Sequence, residues 1–80
     1  MADVADQLVD VVKTLVDDPE QVELETEDLG GTVLLNVTVA EEELGRVIGR
    51  QGRTVRALRT LLEVRGTDSG VYYDLEVVEP

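Results

Sequence analysis

The sequence predicts an α+β domain, ordered α-β-β-α-α-β, in which helices cover one face of a three-stranded mixed sheet. Three observations predict it. Apolar residues recur at helical spacing over residues 3–17. Two β-rich runs follow, with a Gly-Gly turn between them. The helical period then returns twice around a pair of glycines, before a last alternating run. Eighty residues make one domain, spanning 1–80. A chain this short buries only about 60% of the surface its unfolded state exposes, so modest stability is expected.

In the first helix Val4, Leu8, Val11, Val12, Leu15 and Val16 form the apolar stripe, with Asp6, Asp10 and Lys13 between them. Asp3 suits the N-cap, and Asp17-Asp18-Pro19 ends the helix because proline disfavours helical geometry in the residue before it. Val22, Leu24 and Thr26 alternate with Glu23 and Glu25, the pattern of a short, half-exposed strand. After the turn Asp28-Leu29-Gly30-Gly31, residues 32–39 (TVLLNVTV) are β-rich and nearly all apolar, which places this strand in the middle of the sheet.

The period changes at Glu41. Three glutamates open a short helix, where negative charge suits the positive end of the helix dipole, and they are expected to be solvated rather than metal-binding. Leu44, Val47 and Ile48 give that helix an apolar face, and Gly49 stops it. The next helix is expected from Arg53 to Val64 or Arg65. Its stripe is Val55, Leu58 and Leu62, with Arg53, Arg56, Thr60 and Glu63 on the other side. Gly66-Thr67-Asp68-Ser69-Gly70 reads as a turn. Val71, Tyr73, Leu75 and Val77 alternate with Tyr72, Asp74, Glu76 and Val78 as the last strand. The first two strands make an antiparallel hairpin. The return through two helices suits a right-handed crossover to a parallel neighbour.

Composition excludes several function classes. The core must be aliphatic, since there is no Phe or Trp, and Tyr72 and Tyr73 are the only aromatics. With no Cys and no His, disulfides, thiolate or histidine zinc sites and His-based acid–base catalysis are excluded. No apolar run reaches the roughly 18 residues of a membrane span, and the opening MADVADQLVD is unlike a signal peptide. A cytoplasmic protein without cofactor or membrane association is expected. An enzyme is disfavoured: there is no G-x-x-x-x-G-K-[ST] loop, and a chain this small struggles to enclose a substrate pocket of about 300 Å³ or more.

Charge is more informative in its distribution than in its total of −11. Residues 46–65 hold six arginines (46, 50, 53, 56, 59 and 65) and one acid, Glu63, for a local charge of +5. The remainder holds Lys13 against 17 acids, or −16. Such a segment inside an acidic chain is either one oriented anion-binding face or a solvated helix face that uses arginine.

At its centre is GRVIGRQGRTV, residues 45–55, with three glycines, three arginines and no acid. Gly49-Arg50-Gln51-Gly52 lies between two short helices with apolar faces. Its glycines either permit a tight helix–helix turn or admit a nucleic-acid backbone that a Cβ would obstruct. The helix beginning at Arg53 offers free N–H groups and a dipole to a phosphate. Arg50 and Arg53 add charge and forked donors, and Gln51 an amide.

With Val47-Ile48 before the glycines and Val55 after them, the segment resembles the KH-domain signature V-I-G-x-x-G-x-x-[IV]. The element order is similar to the type II KH arrangement across essentially the whole chain. LGRVIGRQGRTVRALRTLL, together with the length, most resembles the small bacterial stand-alone KH proteins of the KhpA type. The resemblance implies a loop that clamps about four single-stranded RNA nucleotides. It also implies a role as RNA chaperone or post-transcriptional regulator, and homodimers or pairing with a KhpB (Jag)-type protein. By resemblance Ile48 and Val55 line the groove that receives bases, with Val47 beside them. Arg46, Arg56 and Arg59 are weaker members, because Arg53, Arg56 and Arg59 spread over roughly 120° of the helix. Leu61 and Val64 widen the helix's apolar stripe, as a subunit contact or as ordinary partial exposure. The competing function is a protein-interaction module of the same fold. The surrounding acidity either confines RNA to the arginine face or suits a salty cytoplasm.

Overall fold

The computed structural model describes residues 3–80, and its architecture is the expected one. Helix α1 (Val4–Leu15) leads into a hairpin of β1 (Glu23–Asp28) and β2 (Thr32–Thr38). Helices α2 (Leu44–Ile48) and α3 (Arg53–Ser69) follow, and β3 (Tyr72–Val78) returns beside β2. The sheet order is β1-β2-β3. β1 runs antiparallel and β3 parallel to β2, with Leu24 opposite Val37 and Leu35 opposite Leu75.

The pleat sets the inner face. Leu35 and Val37 of β2 lie beside Leu75 and Val77 of β3, and the helices supply Leu8, Val12, Val47, Val55, Leu58 and Leu62 above them. Val16 and Val22 close the end of this core, although both lie outside regular elements. Residues alternate across a strand, so Glu23, Glu25, Glu27, Asp74 and Glu76 fall on the uncovered face, where carboxylates stay hydrated. Asp3 occupies the N-cap position of α1 and its carbonyl accepts the Gln7 N–H at 3.0 Å, but its side chain makes no capping bond.

Two elements depart from the sequence reading. The glutamate run is not uniformly solvated. Glu41–Glu43 forms a single 3-10 turn, and Glu43 points inward, only 5% exposed. Its carboxylate accepts the backbone N–H of Asp17 and of Asp18, so it ties the end of α1 to the start of α2. Tertiary partners that lie 25 and 26 residues away cannot be read from a local pattern.

The second departure is the length of α3. It continues through Gly66, Thr67, Asp68 and Ser69, which the sequence reads as a turn, and ends at Gly70. Thr67 and Ser69 turn their hydroxyls back onto the carbonyls of Glu63 and Arg65, at 3.0 Å each, so both polar groups find partners within the helix. Gly66 is buried because the chain entering β3 passes directly over it. A Cβ there would collide with the Val71 carbonyl oxygen and come 3.3 Å from its carbon. Gly66 is therefore a packing residue rather than a helix stop. Gly66→Ala is expected to destabilise the domain by about 1–3 kcal/mol, the range for overpacking a tight site. Chemical denaturation checks this, with the midpoint falling at an unchanged m-value.

Candidate nucleic-acid interface

The glycine loop is built from backbone conformations that the flanking helices dictate. α2 ends at Gly49 (φ 79, ψ 168), Gln51 takes the left-handed conformation (φ 57, ψ 25), and Gly52 does the same (φ 74, ψ 16) immediately before α3. The turn closes on itself through the Gly52 N–H, which donates to the Gly49 carbonyl at 3.0 Å.

The two glycines serve for different reasons. A Cβ on Gly49 would point into the domain and meet Thr54, 2.8 Å from both its Cβ and its backbone nitrogen, so side chains are excluded there from within. At Gly52 a Cβ would meet nothing closer than 4.0 Å, and the positive φ alone favours glycine. No side chain caps the N-terminus of α3, which opens directly from this turn. The Arg53 N–H already donates to the Arg50 carbonyl, and the positive end of the α3 dipole faces the loop side.

The six arginines do not share one face. Arg46 points back to α1 and pairs with Asp17, Nη1 to Oδ1 at 2.7 Å, and the hydrogen bond and charge of Asp17 raise its pKa. Arg56 folds over the loop, donating from Nη2 to the Gln51 carbonyl at 2.6 Å and from Nε to the Gly52 carbonyl at 3.3 Å. Arg59 turns to the sheet and donates to the Leu75 carbonyl at 3.1 Å. Arg65 reaches α1 and donates to Gln7 Oε1 at 2.6 Å. Arg50 and Arg53 remain exposed, and their guanidinia have no partner among the described residues. The +5 segment thus resolves into two free cations at the mouth of the loop, with a third, Arg56, holding the loop's carbonyls.

The apolar positions also separate. Val47 is fully buried and Val55 only 8% exposed, so both support the loop from the core. Ile48 is 37% exposed and presents apolar surface next to Gly49. Tyr72 is exposed and Tyr73 half-buried, on opposite faces of β3, so they form no stacking platform. The roles of Arg56 and Arg46 as loop clasp and interhelix tie were not legible in the sequence. Arg56 at one helical turn beyond Gly52 was the available signal for the first.

Val11, Leu61 and Val64 are exposed around a groove of about 200 Å³ between α1 and α3, whose floor includes Leu8, Leu58 and Leu62. None of the residues lining this groove belongs to the glycine loop. No described helix is long and apolar enough to cross a membrane.

Residues 5–77 match the family model described as KhpA/KhpB, KH domain. The chain is 41% identical over 69 residues to the RNA-binding protein KhpA of Chlamydia trachomatis, covering 86% of this chain and 88% of that protein. It is 38% identical over 72 residues to the RNA-binding protein KhpA of Listeria monocytogenes, covering 90% and 95%. With the protein of the same name from Treponema pallidum it shares 39% identity over 69 residues, 86% of each chain.

Proposed function

The chain belongs to the KhpA/KhpB family of KH domains, and from that premise we propose that it binds single-stranded RNA as one KH unit. The clamp is the loop from Gly49 to Arg53. The observation that carries this reading is the pair of free guanidinia, Arg50 and Arg53, beside an uncapped helix N-terminus. Backbone phosphates meet two guanidinia there that no group among the described residues occupies, and charge-assisted bonds to phosphate are the strong kind. Arg56 positions the loop rather than contacting phosphate, and Ile48 supplies the apolar contact for a base. Val47 and Val55 act from beneath. Arg46 joins only by leaving Asp17. The protein performs no covalent chemistry, and its consequence for RNA is chaperoning or post-transcriptional control, in the cytoplasm.

RNA photocrosslinking of Gly52→Asp tests the clamp. This substitution is the cleaner of the two glycine changes, because the new Cβ meets nothing closer than 4.0 Å and the side chain adds one negative charge at the phosphate position. Crosslinking equal to the unmodified protein, with the fold intact by circular dichroism, would remove the loop from the binding site.

A second reading is favoured by the α1–α3 groove. Leu61 and Val64 expose more than half their surface beside it, and an apolar surface rimmed by polar groups suits a subunit contact. We assign it to a homodimer, or to pairing with a KhpB/Jag-type protein, and two linked clamps would raise avidity for one RNA. Leu61→Lys is expected to reduce the solution mass to that of one chain while leaving thermal stability nearly unchanged, since Leu61 is 58% exposed. An unchanged mass in sedimentation would dismiss Leu61 as a dimer contact.

A further inference from the structure

β3 is an edge strand, and its outward row of main-chain groups is interrupted at the centre by two side chains. In a parallel pair the N–H and C=O of one residue point to the same side, and successive residues alternate. The Tyr72 N–H donates to the Gly31 carbonyl at 3.1 Å, and the Val78 carbonyl accepts the Val39 N–H at 3.3 Å. Even-numbered residues of β3 therefore face β2, and Tyr73, Leu75 and Val77 turn their main-chain groups to the free edge. At Leu75 both groups are already taken. Asp74 Oδ1 accepts the Leu75 N–H at 2.8 Å, and Arg59 reaches from α3 to donate to the Leu75 carbonyl at 3.1 Å.

We propose that Arg59 and Asp74 form a latch that keeps the β3 edge from pairing with β3 of a second copy. A seven-residue strand rich in β-branched and aromatic residues, with an open edge, is a template for strand addition. Two copies related by a twofold axis would pair antiparallel, with Leu75 opposite Leu75 and Tyr73 opposite Val77. Each such pair would exchange both N–H···O=C bonds. Leu75 is the centre of that ladder, so occupying its two groups removes the central pair, and the Arg59 and Asp74 side chains stand where the second strand would lie. The other edge needs no such device. β1 carries four acids, Glu23, Glu25, Glu27 and Asp28, against Asp74 and Glu76 on β3, so like charges on both copies oppose pairing more strongly there.

The latch explains why Arg59 leaves the basic face that the sequence suggests for it. It does not rest on the RNA reading, and its test uses no RNA. Arg59→Ala/Asp74→Ala removes one charge of each sign and leaves the net charge unchanged. It is made in the Leu61→Lys background, so that association through the α1–α3 groove does not contribute. Sedimentation in about 1 M salt, where the Debye length falls to about 3 Å, lowers the repulsion between acidic copies. The expected result is self-association strengthened by about tenfold, the scale of two recovered main-chain hydrogen bonds. Amide exchange at Tyr73, Leu75 and Val77 should slow as concentration rises. Unchanged association overturns the proposal, as does association that leaves these three amides unprotected. A measurement on the unmodified chain stands independently of how the variant folds. The Leu75 amide should exchange more slowly than those of Tyr73 and Val77, and equal rates would show that the latch is not made in solution.

Discussion

Replacing both free guanidinia, in Arg50→Gln/Arg53→Gln, is expected to weaken binding of single-stranded RNA by about 100-fold near 0.1 M salt. Each lost charge-assisted contact contributes roughly 1.5–3 kcal/mol where it is well formed, and every 1.4 kcal/mol is about tenfold in affinity. Two exposed contacts at the low end of that range give the stated figure. The fold should be unaffected, because both side chains are exposed and bond to nothing among the described residues. Salt dependence offers a second readout. With about two phosphates neutralised, those that Arg50 and Arg53 meet, log affinity should fall against log salt with a slope of about −1.4 for a single strand. The slope should drop by about 0.7 for each contact removed. Charge reversal to glutamate at the same positions adds long-range repulsion from a chain already at −11, and should abolish binding. Equal affinity and equal slope for the glutamine variant would place the binding surface elsewhere. Arg56→Ala should behave differently. It frees the carbonyls of Gln51 and Gly52 and loosens the clamp without taking a phosphate contact, so affinity should fall while the salt slope holds.

Glu43→Ala should cost about 3 kcal/mol of stability, lowering the melting temperature by roughly 12–24 °C for a domain of this size. The carboxylate is buried and accepts two backbone N–H groups, those of Asp17 and Asp18. Its removal strands both donors in a part-buried position and leaves a gap beside α2. Glu43→Gln retains one acceptor oxygen and should fall between the two, and thermal unfolding followed by circular dichroism distinguishes them. Asp17 also pairs with Arg46 through its side chain, but that link is exposed at both ends. Breaking it by Arg46→Gln should change stability little, because solvent and salt already screen exposed ion pairs. The two links between the same segments thus differ in worth because one is out of water and the other is in it.

The loop itself shows where a local pattern suffices and where it does not. The VIG-x-x-G spacing identified the turn between α2 and α3, and Arg50 and Arg53 as its charged members, because glycines three apart between two apolar faces admit few other geometries. The reason for Gly49 was out of reach. Its missing Cβ makes room for Thr54 of its own chain, a contact that exists only once α3 is packed. Val47 was likewise grouped with the binding residues, and the structure places it wholly inside, because a five-residue helix has too few turns to separate its faces in sequence.

Element order, the central position of β2, the parallel return of β3 and the site of the glycine loop can all be read along the chain. These follow from the period of apolar residues and from backbone preferences, which act over a few residues and are written locally. Where Glu43 points, how far α3 extends, and how six arginines divide among Asp17, the loop carbonyls, the β3 edge, α1 and solvent depend on contacts between segments distant in sequence. A long charged side chain turns to whichever acceptor the fold brings within its reach. That choice is settled by packing across the chain, and no spacing between neighbours encodes it.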